Sequence, residues 1–251
     1  MVKVYRAIQL WDQWLQHFLG KTLLGAEQRA LFSFLSNNFG KHTVIIGVPE
    51  QHRFLKPGKM TSQYVLGPLI NKDRSVPYIE SDLHELPIQS GSVDNVILPH
   101  TLEYTDNPHQ LLSEACRIVK PEGYLFILGF NPYSFWGLKK KWMHSKMQPW
   151  SGHFIPSAKI NNWLLLADFE LIKQTKIFFR PPMQNQNLFH RLKFLEWIGS
   201  KCFKPFGGVY LLQAKAKVVP LTPIRLHWKQ ELSGTTVATK FIPGSSIRNS
   251  P

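Results

Sequence analysis

Val93-Asp94-Asn95-Val96-Ile97-Leu98, then Asn107-Pro108 with Leu111, Leu112, Ala115, Ile118 and Val119 behind it, then Tyr124-Leu125-Phe126-Ile127-Leu128, is the stretch that decides the fold. The first run is apolar and β-branched, as a buried strand requires. Asn107 is a good helix N-cap, and Pro108 suits the first helical position, where a missing N–H does no harm. The apolar residues that follow recur at helical spacing. Pro121-Glu122-Gly123 predicts a tight turn ending that helix, and residues 124–128 read as a second strand. Strand, helix and strand at this spacing make a parallel crossover unit.

The alternation continues outward in both directions. Thr43-Val44-Ile45-Ile46-Gly47 predicts a buried strand running into a turn, and Tyr64-Val65-Leu66 and Val76-Pro77-Tyr78-Ile79 predict weaker strands. Downstream, Ser157 is expected to cap a helix carrying Ile160, Trp163, Leu164 and Ala167. A strand over 169–179, a helix over 187–202 and a last strand opening at Gly207-Gly208-Val209-Tyr210-Leu211-Leu212 follow. Upstream, Leu10, Trp11, Trp14, Leu15, Phe18 and Leu19 share one face of a predicted helix over 9–20 that Gly20 ends, and a second helix is expected over 25–37. Periodicity fades beyond about Pro220 into Pro, Ser, Thr and Gly. The expected organisation is N-terminal helices (1–40) packed on an α/β domain (41–221), with a flexible basic tail (222–251).

Composition narrows the function classes. Apolar residues make up 43% of the 251-residue chain, enough for a folded core. No apolar run approaches the roughly 18–20 residues that span a bilayer. The N-terminus soon reaches Trp11-Asp12-Gln13-Trp14, too polar for a signal-peptide core. Cys116 and Cys202 form neither a CxxC pair nor metal-ligand spacing, so no metal is expected and a reducing cytoplasm is the expected compartment. The net charge is +14, with 12 Lys+Arg and 12 Asp+Glu in residues 1–138 but 18 against 4 in residues 139–251. That asymmetry predicts an acidic partner, a nucleic acid or an anionic surface, unless it only keeps the chain soluble.

Asp82-Leu83-His84-Glu85-Leu86-Pro87, then Ser92-Val93-Asp94 and its strand, then His100-Thr101-Leu102-Glu103-Tyr104, resembles the middle of class I S-adenosylmethionine-dependent methyltransferases of the type 11 kind. Gly129-Phe130-Asn131-Pro132-Tyr133-Ser134-Phe135-Trp136-Gly137-Leu138 and Gly207-Gly208-Val209-Tyr210-Leu211 are similar to a bacterial branch of that family. The resemblance implies a Rossmann-like three-layer sandwich, with a mostly parallel seven-stranded sheet and helices on both faces. It implies S-adenosylmethionine as cofactor, its adenine amino group meeting Asp82 beside the backbone of Leu83. Ile46, Gly47, Pro99 and His100 are the expected contacts at the ends of the first and fourth strands.

Two features depart from that pattern. The family's first loop reads acidic-x-Gly-x-Gly-x-Gly, whereas here Ile45 holds the acidic position and Pro49 and Gln51 replace the later glycines. The carboxylate that grips the ribose at the end of the second strand is also missing from Leu66-Gly67-Pro68-Leu69, with Asp73 a displaced substitute.

For chemistry, His100 is the candidate base, since imidazole titrates near neutrality, although it and Glu103 can equally hydrogen-bond the strand end. Asn131-Pro132-Tyr133 resembles the Asn-Pro-Pro-Tyr signature of amino-group methylation, one proline short and after the fifth strand instead of the fourth, which makes Asn131 a second catalytic candidate; a proline-stiffened loop at the pocket rim explains the tripeptide equally well. The aromatic and lysine-rich run 135–144 suits nucleic acid, an anionic membrane interface, or simply a helix with its aromatics in the core. The expected function is methyl transfer to an unidentified acceptor. The rival is a methyltransferase fold without catalysis that holds RNA or another polyanion on its basic half. Hydride transfer is disfavoured, because Gly-x-Gly-x-x-Gly is absent.

Overall fold

β-Branched and apolar runs with no polar alternation form strands buried on both faces, and three of them make the centre of this sheet. They are β1 (His42–Ile46), β4 (Val93–Pro99) and β5 (Val119–Phe130), with Ile45, Ile46, Val96, Ile97 and Leu98 fully buried. The computed structural model describes residues 2–35, 40–55, 62–70, 77–143, 147–183 and 186–217. Asp73 and the 222–251 tail lie outside the described residues.

Seven strands form one sheet in the order β3-β2-β1-β4-β5-β7-β6, with β2 at Ser62–Gly67, β3 at Tyr78–Glu80, β6 at Phe169–Ile177 and β7 at Val209–Ala216. Among the described residues β7 is the one strand that runs against the rest: its pairings with β5 and β6 are antiparallel, and the other four pairings are parallel. The strand order reverses between β1 and β4, and a ligand of such a sheet binds beyond the carboxyl ends at that reversal.

α3 (Pro108–Ile118) begins as the sequence predicts, with the Asn107 side chain accepting from the Gln110 amide at 3.1 Å. The Pro121-Glu122-Gly123 turn is instead absorbed into the start of β5, which pairs with β4 through a register shift between Val93 and Asn95. Glu122 takes a φ of 63° there, so the kink sits within an extended strand. α5 (Ser157–Leu166) is capped by Pro156, and the Ser157 hydroxyl accepts from Gln174 Nε2 instead. The predicted 187–202 helix is two helices, α6 (Gln186–Arg191) and α7 (Phe194–Cys202).

The N-terminal helices also break elsewhere than predicted. α1 (Val2–Leu15) ends in a turn at Gln16 and His17, and α2 (Phe18–Leu35) runs through Gly20. A Cβ on Gly20 would lie 2.3 Å from the Trp14 carbonyl oxygen. That glycine therefore lets the two helices meet at a tight corner and does not stop either. Ile8, Trp11 and Leu15 are the buried stripe of α1, and they bring this helix over the carboxyl ends of β1 and β4.

Candidate functional site

β1 delivers Ile46 and Gly47, and β4 delivers Pro99 and His100, to the point of strand reversal, so four of the predicted cofactor contacts do converge. The backbones pack closely here: the Gly47 amide donates to the Leu66 carbonyl at 2.8 Å, and a Cβ on Gly67 would lie 1.9 Å from the Gly47 oxygen. After Gly47 the chain enters a short 3-10 helix, Pro49–Phe54. Gln51, at the place of a family glycine, is wholly buried and folds back on the loop. Its Oε1 accepts from the Val48 amide at 2.9 Å and its Nε2 donates to the Pro99 carbonyl at 2.8 Å. A Cβ on Gly47 would lie 2.1 Å from Gln51 Oε1. Together with Ile8 and Trp11 of α1, this side chain leaves only about 10 Å³ of space beside Gly47, Pro99 and Thr101.

Next to that closed corner lies an open cavity of about 560 Å³, lined by Asp82, Leu83 and His84, by Pro68 and Glu80, and by Tyr5 and Ile8 of α1. Asp82 Oδ1 accepts from the His84 amide at 2.9 Å, which fixes the turn after β3. Leu83 is buried behind it. Sequence reasoning missed Glu80. It pairs in register with Gly67, so a carboxylate does stand at the end of β2, supplied by the neighbouring strand. It also missed Asp12, whose Oδ1 accepts from the Glu50 amide at 3.0 Å and ties α1 to the loop after β1. Burial raises the Asp12 carboxyl above its ordinary range, against that hydrogen bond.

His100 is placed differently from what a base requires. It adopts a left-handed φ of 61° and is fully buried. Nε2 meets Glu27 Oε1 at 2.7 Å and Nδ1 meets Glu103 Oε2 at 3.0 Å. Burial pulls the imidazole pKa down, but the two carboxylates overcome it and push it up to about 10. Protonated, with both nitrogens donating, the ring has no lone pair for a substrate proton. Glu103 also accepts from the Phe130 amide, so the trio clamps α2, β4 and β5 together beneath the cleft.

Asn131 is likewise engaged. Its Nδ2 donates to the carbonyls of Pro205 (2.8 Å) and Gly207 (2.9 Å), and its Oδ1 accepts from the Tyr133 amide (3.2 Å). It staples the end of β5 to the start of β7 and leaves no amide group for a methyl acceptor.

A second cavity, of about 570 Å³, shares Val4, Thr105 and Asp106 with the first and extends past Glu103 to His153, Phe154, Lys159 and Trp163. The His153 amide donates to the Glu103 carbonyl at 2.7 Å, which holds residues 151–156 along its wall. Nothing in the sequence singled out His153. It enters only through this tertiary contact.

Residues 60–127, running from before β2 to within β5, match the protein family described as "Methyltransferase domain". That stretch is similar to a methyltransferase domain. The fold of the chain is shared by a SAM-dependent methyltransferase from Thermotoga maritima, with a TM-score of 0.64 and 20% identity over 84% of this chain and all of that one. A chain from the Haloferax volcanii complex of the Trm112 methyltransferase activator with a methyltransferase gives a TM-score of 0.58 and 16% identity, covering 83% and 98% of the two chains. The uncharacterized Escherichia coli protein YafS is 32% identical over 145 residues, a stretch that spans 57% of this chain and 57% of YafS. The chain thus shares the fold of these methyltransferases, with the corner beside Gly47 filled by Gln51 and Trp11.

Proposed function

We propose that the chain binds S-adenosylmethionine and transfers its methyl group to an acceptor. The carrying observation is the cavity of about 560 Å³ beside the strand reversal, within the size range of small-molecule sites, with Asp82 and Leu83 on its wall. In this reading Asp82 accepts from the adenine amino group, and the apolar side chains of Leu83 and Ile8 cover the ring. Glu80 takes the role of the missing second-strand carboxylate and receives the ribose hydroxyls. The methionine end belongs over Gly47 and Pro99, and it fits only once the Gln51 side chain and Trp11 withdraw. α1 therefore serves as a lid that opens for the cofactor and closes over it, keeping water from the cleft.

The cofactor supplies an already activated methyl group. The residues here need only align an acceptor and, where it carries a proton, offer a base. The second cavity is the acceptor's place in this reading, since it adjoins the first at Thr105 and Asp106. Asp106, at that junction, and His153, on the wall of the second cavity, replace His100 and Asn131 as candidates for handling a proton.

Calorimetric titration with S-adenosylmethionine and S-adenosylhomocysteine tests the reading. Saturable binding is expected, weakened about tenfold or more by Asp82→Ala and by Glu80→Gln, the loss of one charge-assisted hydrogen-bond partner each. A cooperatively folded wild type that takes up neither compound sinks it.

A further inference from the structure

The carboxyl edge of the sheet carries a surface that methyl transfer does not use. α4 (Phe135–Met143) turns Trp136 and Gly137 inward, yet presents Phe135, Leu138 and Trp142 to solvent, the last 82% exposed. Spaced i, i+3 and i+7, they form an apolar stripe on the wrong side of the helix for a core. Across a groove of about 540 Å³ lined by Pro132, Leu195 and Ile198, the segment after α7 presents Phe203 and Phe206. Trp197 of α7 is 64% exposed, with the Lys201 ammonium 4.6 Å above its ring.

Charge around this apolar surface has one sign. Lys141, Lys193, Lys201 and Lys204 are exposed. The one acid in residues 131–143 and 191–206 is Glu196, already bound by Arg180 Nε at 3.0 Å and by the Phe179 amide. Aromatics with lysines at their margin match the headgroup layer of an anionic bilayer, where ring and ammonium each find their preferred medium.

We propose that this surface docks on an anionic phospholipid membrane, with Phe135, Leu138 and Trp142 in the headgroup layer and an acyl chain in the groove. Single-stranded RNA suits it less, because base edges need donors and acceptors. The groove's polar side chains are few: Tyr133, Ser134, whose hydroxyl donates to the Asn131 carbonyl, and Lys141, against Pro132, Phe135, Leu138, Leu195, Ile198 and the other phenylalanines. A second copy would bring one lysine margin against another. Residues 222–251, with four Lys+Arg and one Glu, carry the same sign as the margin. The inference stands apart from the methyl-transfer reading and survives its failure.

Co-sedimentation of the full chain tests it, with vesicles of equal parts phosphatidylglycerol and phosphatidylcholine against phosphatidylcholine alone. Binding to the anionic vesicles is expected, weakened by salt, and reduced about tenfold or more by Phe135→Ser with Trp142→Ser and by Lys201→Glu with Lys204→Glu. All these side chains are exposed, and a cooperative melt confirms that each variant is folded. Absence of binding by folded wild type overturns the proposal, as does binding that both variants leave unchanged. Two further results overturn it: the same variants abolishing binding to a single-stranded RNA probe while vesicles are ignored, or abolishing self-association in light scattering.

Discussion

At the scale of single residues, two buried side chains decide what the site can do. Gln51 bonds the Val48 amide and the Pro99 carbonyl and occupies the corner where the family's loop carries glycine. Gln51→Ala removes the partner of the Val48 amide and leaves the Pro99 carbonyl with the longer 3.4 Å bond from the Thr101 hydroxyl, at a cost of ~1–3 kcal/mol in stability. It also clears space beside Gly47, so S-adenosylhomocysteine is expected to bind about fivefold tighter, or roughly 1 kcal/mol, while the melting temperature falls. Tighter binding with lower stability in one variant distinguishes a plug from a simple structural residue. His100 makes the opposite case: its value is structural. Because its folded pKa lies above the ordinary 6.5, its contribution is full below about pH 6.5 and is lost as pH rises toward about 10. Denaturant titrations should show wild-type stability declining across that window and a flatter profile for His100→Gln. That variant should also lose ~3–5 kcal/mol at neutral pH, since Glu27 and Glu103 are left buried without a counter-charge.

At the scale of elements, α1 differs from the strands it covers. It borders both open cavities and the closed corner, and the Asp12 carboxylate on the Glu50 amide is a polar latch between it and the loop after β1. Asp12→Ala is expected to speed hydrogen exchange of the α1 amides by about fivefold while β1, β4 and β5 stay protected, as local opening without global unfolding would give. If α1 is the lid, association of S-adenosylhomocysteine quickens in the same variant; equal exchange across α1 and β4 would argue against a separate opening. Much of this was legible in the sequence and part was not. The Leu10 to Leu19 stripe announced an amphipathic helix, but the corner near Gln16 comes from the contact of Gly20 with the Trp14 carbonyl, which no local propensity encodes. The 135–144 run showed its aromatics and lysines, but periodicity alone could not say that Trp136 goes inward while Phe135 and Trp142 stay out.

At the scale of the whole molecule, the sheet was readable because its central strands are short β-branched runs separated by helical periods, and chain order then restricts their arrangement. The candidate site follows from the sequence only where strand ends define it: Ile46, Gly47, Asp82, Leu83 and Pro99 sit at such ends or in the turn after β3. What joins distant segments stayed hidden. Glu27 reaches His100 across 73 positions, and Glu80 reaches the end of β2 only through the register of β3. The same sheet sets how much chain the fold requires. β7 pairs with both β5 and β6 and ends at Ala216, so every strand pairing among the described residues is complete by that residue, and the last of them is Phe169 against Ala216. A chain ending at Val218 keeps each of these pairings, the His100 clamp and both cavities. Its melting temperature should stay within about 3 °C of the full chain's, the shift that ~1 kcal/mol produces at this size. A truncation further back, after Leu212, removes the pairs that Gln213, Ala214 and Lys215 make with β5 and β6, and it should abolish the cooperative melt. Calorimetric melting of the two truncations beside the full chain reads both outcomes, and a large loss in the 218-residue chain would show that residues beyond it contribute to the fold.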